Sequence, residues 1–185
     1  RNLILIKGYH HWVGKGLHVL NSLELIVDIV RKYNVYVYSA HDIVIIKIKE
    51  LNAKYNLNIE YSSRKSEISH TELLQKFGNA KIAIGNSISD GIPNTLLEAI
   101  ILGAFPIQSN PGKVSEDYIK DNKNGLLINN PEDEIEISEL IKKALSSQVL
   151  LDNAFVENEK KAANLAYEKV QKDVLEVYKQ IENEL

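Results

Sequence analysis

The 185-residue chain contains no cysteine. That absence removes disulfides, thiolate nucleophiles and cysteine-ligated zinc together, and it suits a reducing compartment. Excess charge is lacking too: 22 Lys and Arg against 25 Asp and Glu leave a formal net charge of -3. Nucleic-acid binders carry a clustered basic excess, so no nucleic-acid partner is expected. Long apolar runs are missing, since a stretch such as LHVLNSLELIVDIV is broken by Asn, Glu and Asp well short of the roughly 20 residues a membrane span needs. There is no Asp-x-Asp pair, no Gly-x-Gly-x-x-Gly run, no internal repeat and no low-complexity segment. The chain opens at Arg1 directly into LILI, with neither an initiator Met nor a charged leader and cleavage site. It reads as a piece excised from something larger.

What is present has the balance of an ordinary globular domain, 44% hydrophobic and 25% charged. A chain of this size buries roughly 70% of its unfolded surface and needs no staple. Short β-type runs alternate with helix-type patterns. Strands are predicted over 3–7, 35–40, 58–62, 81–86, 105–109 and 125–129, and helices over 16–33, 42–55, 70–78, 94–102, 113–121 and 133–147. This order implies right-handed crossovers and a three-layer, Rossmann-like α/β domain, with a parallel six-stranded sheet and helices on both faces. Such sheets bind ligands at the carboxyl ends of their strands. From about Asn153 the β signal stops, and one or two amphipathic helices follow, with apolar residues such as Val170, Val174, Val177 and Ile181. The division is therefore 1–150 for a ligand-binding domain and 151–185 for a C-terminal helical extension.

Chemistry concentrates in NSISDGIPNTLLEAI, residues 86–100. Pro93 suits the first turn of a helix, Gly91 allows the tight turn before it, and Asn94 or Ser89 could cap. The free N–H groups and positive end of that helix offer a place for phosphate or hydroxyl oxygens. Asp90 stands at its mouth and Glu98 in its second turn. By spacing alone these read as a turn acid and a solvent-facing helix acid. The neighbours of Glu98, namely Leu96, Leu97, Ala99, Ile100 and Ile101, argue otherwise, because an acid among them must find hydrogen-bond donors and a polyhydroxy ligand supplies them.

The string from Ser87 through Asp90, Gly91, Pro93, Leu97, Glu98 and Ala99, followed by GAFPI, Glu116 and the NGLL of residues 124–127, resembles the donor-binding half of retaining GT-B glycosyltransferases. The resemblance is to glycosyltransferase family 4, the "glycosyl transferases group 1" domain, and covers about Leu3 to Ser147. That family's signature is an acid, seven residues and a glutamate, with glutamate the usual first acid; here it is Asp90. The resemblance implies that Glu98 holds the ribose of a sugar nucleotide and that Asp90 lies beside the transferred sugar. It implies too that the backbone around Gly91, Ile92, Pro93, Asn94 and Thr95 faces sugar and diphosphate. Catalysis would be leaving-group stabilisation by Lys15 with Asp90 on the sugar, and no metal or other cofactor is expected. The acceptor-binding N-terminal domain would be missing, and the full enzyme would be cytoplasmic, working in glycan synthesis at the inner face of a membrane.

The first loop, GYHHWVGKG at residues 8–16, carries the other expected contacts. The family pattern has a Gly-Arg pair here and then Lys-Gly; Gly14, Lys15 and Gly16 match the second element, while Tyr9 or His10 stands in the arginine's place. A lysine at a helix start is disfavoured unless an anion is near, which favours a phosphate role for Lys15. His10 reads as a phosphate or interdomain contact, and Trp12 as a sugar platform or a packing residue. Arg64 could approach the nucleotide from the loop after the third strand, and Gly112 could complete the phosphate cradle. Loss of the arginine also leaves open a non-catalytic nucleotide-binding or regulatory module.

Overall fold

The run LILIK forms β1 (Leu3–Lys7), and its alternation sends Ile4 and Ile6 to one face of a sheet and Leu5 to the other. All three are fully buried, as a strand covered by helices on both sides requires. The computed structural model describes residues 1–184. Its six strands are all parallel, in the order β3-β2-β1-β4-β5-β6, with β2 at Asn34–Ala40, β3 at Ile59–Ser63, β4 at Ala80–Gly85, β5 at Phe105–Ser109 and β6 at Leu126–Ile128. On the Ile4 face pack α1 (Gly16–Leu25), α3 (Asp42–Tyr55) and α6 (Glu134–Ser146) through residues such as Leu20, Ile48 and Ile141. On the Leu5 face Phe77 of α4 (His70–Asn79) and Ala99 of α5 (Asn94–Ile101) close the second layer. This is the three-layer, Rossmann-like arrangement expected from the alternation.

Two helices differ from the sequence pattern. The predicted helix 16–33 breaks at Ile26, whose N–H bonds to the Leu23 carbonyl at 3.2 Å, and resumes as the single turn α2 (Val27–Val30). Four of the five residues in IVDIV are β-branched, which weakens helix continuation. The predicted helix 113–121 is instead a 3-10 stretch, Pro111–Asp117, with Gly112 and Lys113 at φ 62° and 63°. Local side-chain bonds hold it: the Ser115 N–H donates to Asn110 Oδ1 at 3.1 Å and the Ser115 hydroxyl to the Ser109 carbonyl at 2.8 Å. Such bonds compete with the helical ladder.

Helix α7 (Gln148–Asn164) starts ahead of the pattern's Asn153, because the Ser147 hydroxyl caps the Leu150 N–H. It lays Leu151, Ala154 and Asn158 against the domain. The NGLL element explains how it is anchored. Asn124 is 1% exposed, accepts the Lys120 N–H at 2.7 Å and donates to Asn158 Oδ1 at 2.8 Å, while Asn158 donates back to the Asn124 carbonyl at 3.0 Å. Gly125 must lack a side chain, since a Cβ there would lie 2.9 Å from Pro106 atoms of β5. The final helix, α8 (Tyr167–Glu184), leaves Val170, Val174, Leu175, Val177, Tyr178 and Ile181 exposed. No described helix is long and apolar enough to cross a membrane.

The Asn124–Asn158 bonds predict a defined cost. Asn158→Ala removes one partner of a buried pair, so it should destabilise the chain by about 1–3 kcal/mol, whereas Glu159→Ala on the exposed side should stay within about 0.5 kcal/mol. Urea unfolding of the two variants checks the difference.

Candidate functional site

The strand order reverses between β1 and β4, and at that point the chain leaves in opposite directions, opening a crevice at the carboxyl ends. The two loops beside it are joined. The Lys15 N–H donates to the Asn86 carbonyl at 2.9 Å, and the Ile88 N–H donates to the Val13 carbonyl at 2.8 Å. The Asn86 side-chain amide donates to the carbonyls of Lys15 at 3.3 Å and Pro131 at 2.8 Å, tying in the loop after β6. Gly14 is needed for this fit, because a Cβ would lie 2.3 Å from the Tyr9 ring.

Between these loops lies a cavity of about 350 Å³, lined among others by Lys7, Tyr9, Gly14, Arg64, Asp90 and Gln108. Asn86 also lines it, and its Oδ1 is buried without a hydrogen-bond partner. Lys7 Nζ stands 3.9 Å from Asp90 Oδ2. Lys15, whose side chain is 13% exposed, pairs with the Glu132 carboxylate of the β6–α6 loop. That lysine holds Glu132 below the usual carboxylate range. The guanidinium of Arg64 lies over the Tyr9 ring, 4.4 Å from its centroid.

Pro93 is the residue before the first turn of α5 rather than within it, and no side chain caps the helix, neither Asn94 nor Ser89. The Leu96 N–H bonds to the Pro93 carbonyl at 2.9 Å, and the amides of Asn94 and Thr95 ahead of it stay open. Glu98 is in the second turn, with its side chain only 19% exposed. Its Oε1 meets His70 Nε2 at 2.8 Å, and its Oε2 is buried with no partner among the described residues. Beside it the Tyr38 phenol is bonded to Thr95 and pushed up in pKa by burial, then by the Glu98 charge, so it stays neutral.

The other candidates separate. His10 lines a neighbouring cavity of about 560 Å³ with His41, Arg64 and Lys65, and its Nδ1 accepts the Leu17 N–H at 3.4 Å. Burial, reinforced by His18, Lys15, His41 and His11, lowers the His10 pKa, so the ring is neutral at pH 7. Trp12 is 81% exposed and packs on nothing in the core. Gly91 and Ile92 are exposed on the approach to α5, and neither they nor Gly112 line the 350 Å³ cavity. Glu116 is tied to the Asn110 side chain at 2.7 Å. Among the described residues no three His, Asp or Glu side chains are grouped to hold a metal ion.

Sequence reasoning missed Lys7, His70, Asn86, Gln108 and Glu132. Lys7, a charged residue at the carboxyl end of a buried strand, carried a readable signal; Asn86 and Gln108 line the cavity, and neither the Lys15–Glu132 nor the His70–Glu98 pair does, these being long-range pairings that no local pattern encodes.

No curated protein matches the sequence significantly. Among solved structures, a mutant of S. aureus TarM in complex with fondaparinux, alpha-GlcNAc-glycerol and UDP is similar at TM-score 0.74 and 18% identity, over 97% of this chain and 35% of TarM. A glycosyltransferase from Rickettsia africae matches at TM-score 0.75 and 21% identity, over 97% of this chain and 48% of that one. The catalytic domain of cholesterol-alpha-glucosyltransferase from Helicobacter pylori matches at TM-score 0.70 and 20% identity, over 89% of this chain and 99% of that domain. The chain thus spans less than half of the first two proteins. The family model for glycosyl transferases group 1 matches residues 47–162, well over half of the sequence, so the chain is a GT-B-type α/β domain that belongs to the glycosyl transferases group 1 family.

Proposed function

We propose that this chain is the donor-binding half of a glycosyltransferase that moves a sugar from a nucleoside diphosphate to an acceptor with retention. One observation carries the reading. The cavity at the β1/β4 switch point is lined by Asp90 and by Gly14, the residue before Lys15, while the nearby α5 starts without a side-chain cap and its Glu98 keeps a buried carboxylate oxygen without a partner among the described residues. Each feature suits one part of the donor. The Lys15 ammonium and the open Asn94 and Thr95 amides meet diphosphate charge. Asp90, at the cavity wall, meets the transferred sugar. Glu98 Oε2, held by the His70 contact at Oε1, accepts from a ribose hydroxyl.

On this reading catalysis is mostly positioning and stabilisation of the departing diphosphate at a bond with oxocarbenium-like character. The charge falls on Lys15 and the helix amides, with no metal required. The acceptor comes from a second domain preceding this one, and the exposed apolar face of α8 is its landing place. The whole enzyme would act in the cytoplasm, at the inner face of a membrane, in bacterial polysaccharide synthesis. The first loop, with Tyr9 or His10 where the family pattern has arginine, favours the second reading of a nucleotide-binding module without transfer. Sugar transfer by the full-length protein would separate the two.

The donor prediction is thermal. At about 100 times the dissociation constant a bound nucleotide sugar adds roughly 2.7 kcal/mol, which for a chain of this size raises Tm by about 5–10 °C. UDP sugars are the first probes, because the TarM structure carries UDP; GDP sugars are the next. Glu98→Ala should fold and lose the gain. Absence of any shift across nucleoside diphosphate sugars at millimolar concentration would refute the assignment.

Lys15→Ala should weaken nucleoside diphosphate binding by about 10- to 100-fold, the loss expected for charge-assisted bonds. Glu132→Gln should strengthen it, because the lysine then has no competing carboxylate. Isothermal titration at fixed ionic strength reads both, and opposite signs in the two variants are the expected result.

A further inference from the structure

Two cations, Lys7 and Arg64, line the switch-point cavity, Lys15 follows Gly14 in the adjoining first loop, and the three are not equally available. Lys15 is engaged by Glu132, and Lys7 lies 3.9 Å from Asp90. Arg64 reaches the cavity from the β3–α4 loop and has no carboxylate within ion-pair distance among the described residues. Its root is fixed, since its N–H donates to the Ala40 carbonyl at 3.0 Å. Its tip is fixed by stacking over Tyr9, and the Tyr9 ring itself rests 4.8 Å from the His41 ring.

A ring face attracts a guanidinium without neutralising it. A carboxylate in the same place would consume both the charge and the donors. Arg64 is therefore held in position with its N–H fork unspent, and that fork matches two oxygens of a phosphate. The adjacent Lys65 is the contrast: its Nζ sits 2.6 Å from Asp42 Oδ2, and it lines the neighbouring cavity only.

We infer that Arg64, presented by the Tyr9 ring from the opposite loop, is the arginine that binds the donor diphosphate in this chain. Tyr9 is then a positioning residue that takes the first-loop place without supplying the charge. The inference rests on the nucleotide-sugar reading of the cavity. It makes Tyr9 and Arg64 a unit, in which each explains the other, and it removes the one departure that favoured a non-catalytic module.

Titration of the 185-residue chain with UDP and GDP, and with uridine and guanosine, tests this at constant ionic strength. Arg64→Ala should weaken binding of the diphosphate by about 10- to 100-fold and leave the nucleoside unchanged. Tyr9→Ala should reproduce part of the loss in the same arm, Tyr9→Phe should restore wild-type binding, and Tyr9→Ala added to Arg64→Ala should cost nothing more. Lys65→Ala, which removes one charge from the same loop, should bind the diphosphate as wild type does. The inference is overturned by an Arg64→Ala chain with undiminished diphosphate affinity. It is overturned equally by an equal loss for the nucleoside, which would place Arg64 on the base, or by an equal loss in Lys65→Ala, which would reduce the effect to net charge. Wild-type chain that binds neither diphosphate would instead sink the donor reading and this assignment with it. Circular dichroism of each variant establishes that it is folded.

Discussion

The backbone pairing of the β1 and β4 loops is the constraint on which the site depends. Parallel neighbours with connections running opposite ways leave a gap at their carboxyl ends, and a gap by itself positions nothing. Here the bonds from Lys15 to Asn86 and from Ile88 to Val13 close the base of that gap. Asn86 extends the junction to Pro131, and the Ser87 N–H donates to Ser109 Oγ at 2.8 Å, which brings in the end of β5. Loops after β1, β4, β5 and β6 thus share one node of buried polar groups. Lys15, Asp90 and Glu132 are spread over three of these loops; Lys15 and Glu132 pair directly, and the placement of Asp90 relative to them follows from that node.

Glu98 stores the opposite kind of order. A carboxylate mostly removed from water needs donors, and the chain gives it one, from His70, while Oε2 stays buried and unpaired among the described residues. Leaving such an atom unsatisfied costs about 1–3 kcal/mol. The start of α5 offsets part of this, since the positive end of the helix favours an acid in its first turns. Tyr38 adds no charge of its own, because burial keeps its phenol protonated. A carboxylate held at one oxygen by His70 has a fixed orientation, and an outside hydroxyl reaches its buried Oε2 only after the covering side chains shift.

The layered sheet was legible because burial imposes a period: LILIK alternates between two cores, and GLHVL and ISELI each place one stripe against the Ile4 side. The loop NSISDGIPNTLLEAI was legible because Pro93 and Gly91 mark where a helix must start. Contacts made by residues far apart in sequence were not. His70 and Glu98 meet across 28 residues, and Lys15 and Glu132 across 117. Helix α2 and the 3-10 stretch escaped for a local reason, as β-branched crowding and Asn110 side-chain bonds overrode a helical apolar pattern. The NGLL element was read beside the site residues, and its Asn124 and Gly125 prove to join β6 to α7 and β5.

The three cations near this cavity are each balanced within the chain. Lys7 and Arg64 on its wall and Lys15 in the adjoining loop would otherwise repel one another. Each is relieved differently. Lys7 shares Asp90 at 3.9 Å, Lys15 is drawn to Glu132, and Arg64 is held by the neutral face of Tyr9. Glu132 is 55% exposed, so it can return to water when Lys15 turns to another anion. Exposed pairs are weak and screened, which makes that exchange cheap. Arg64 has nothing to release. Arg64 therefore keeps a charge that no carboxylate among the described residues offsets, and the exposed position of Glu132 is what lets Lys15 exchange partners.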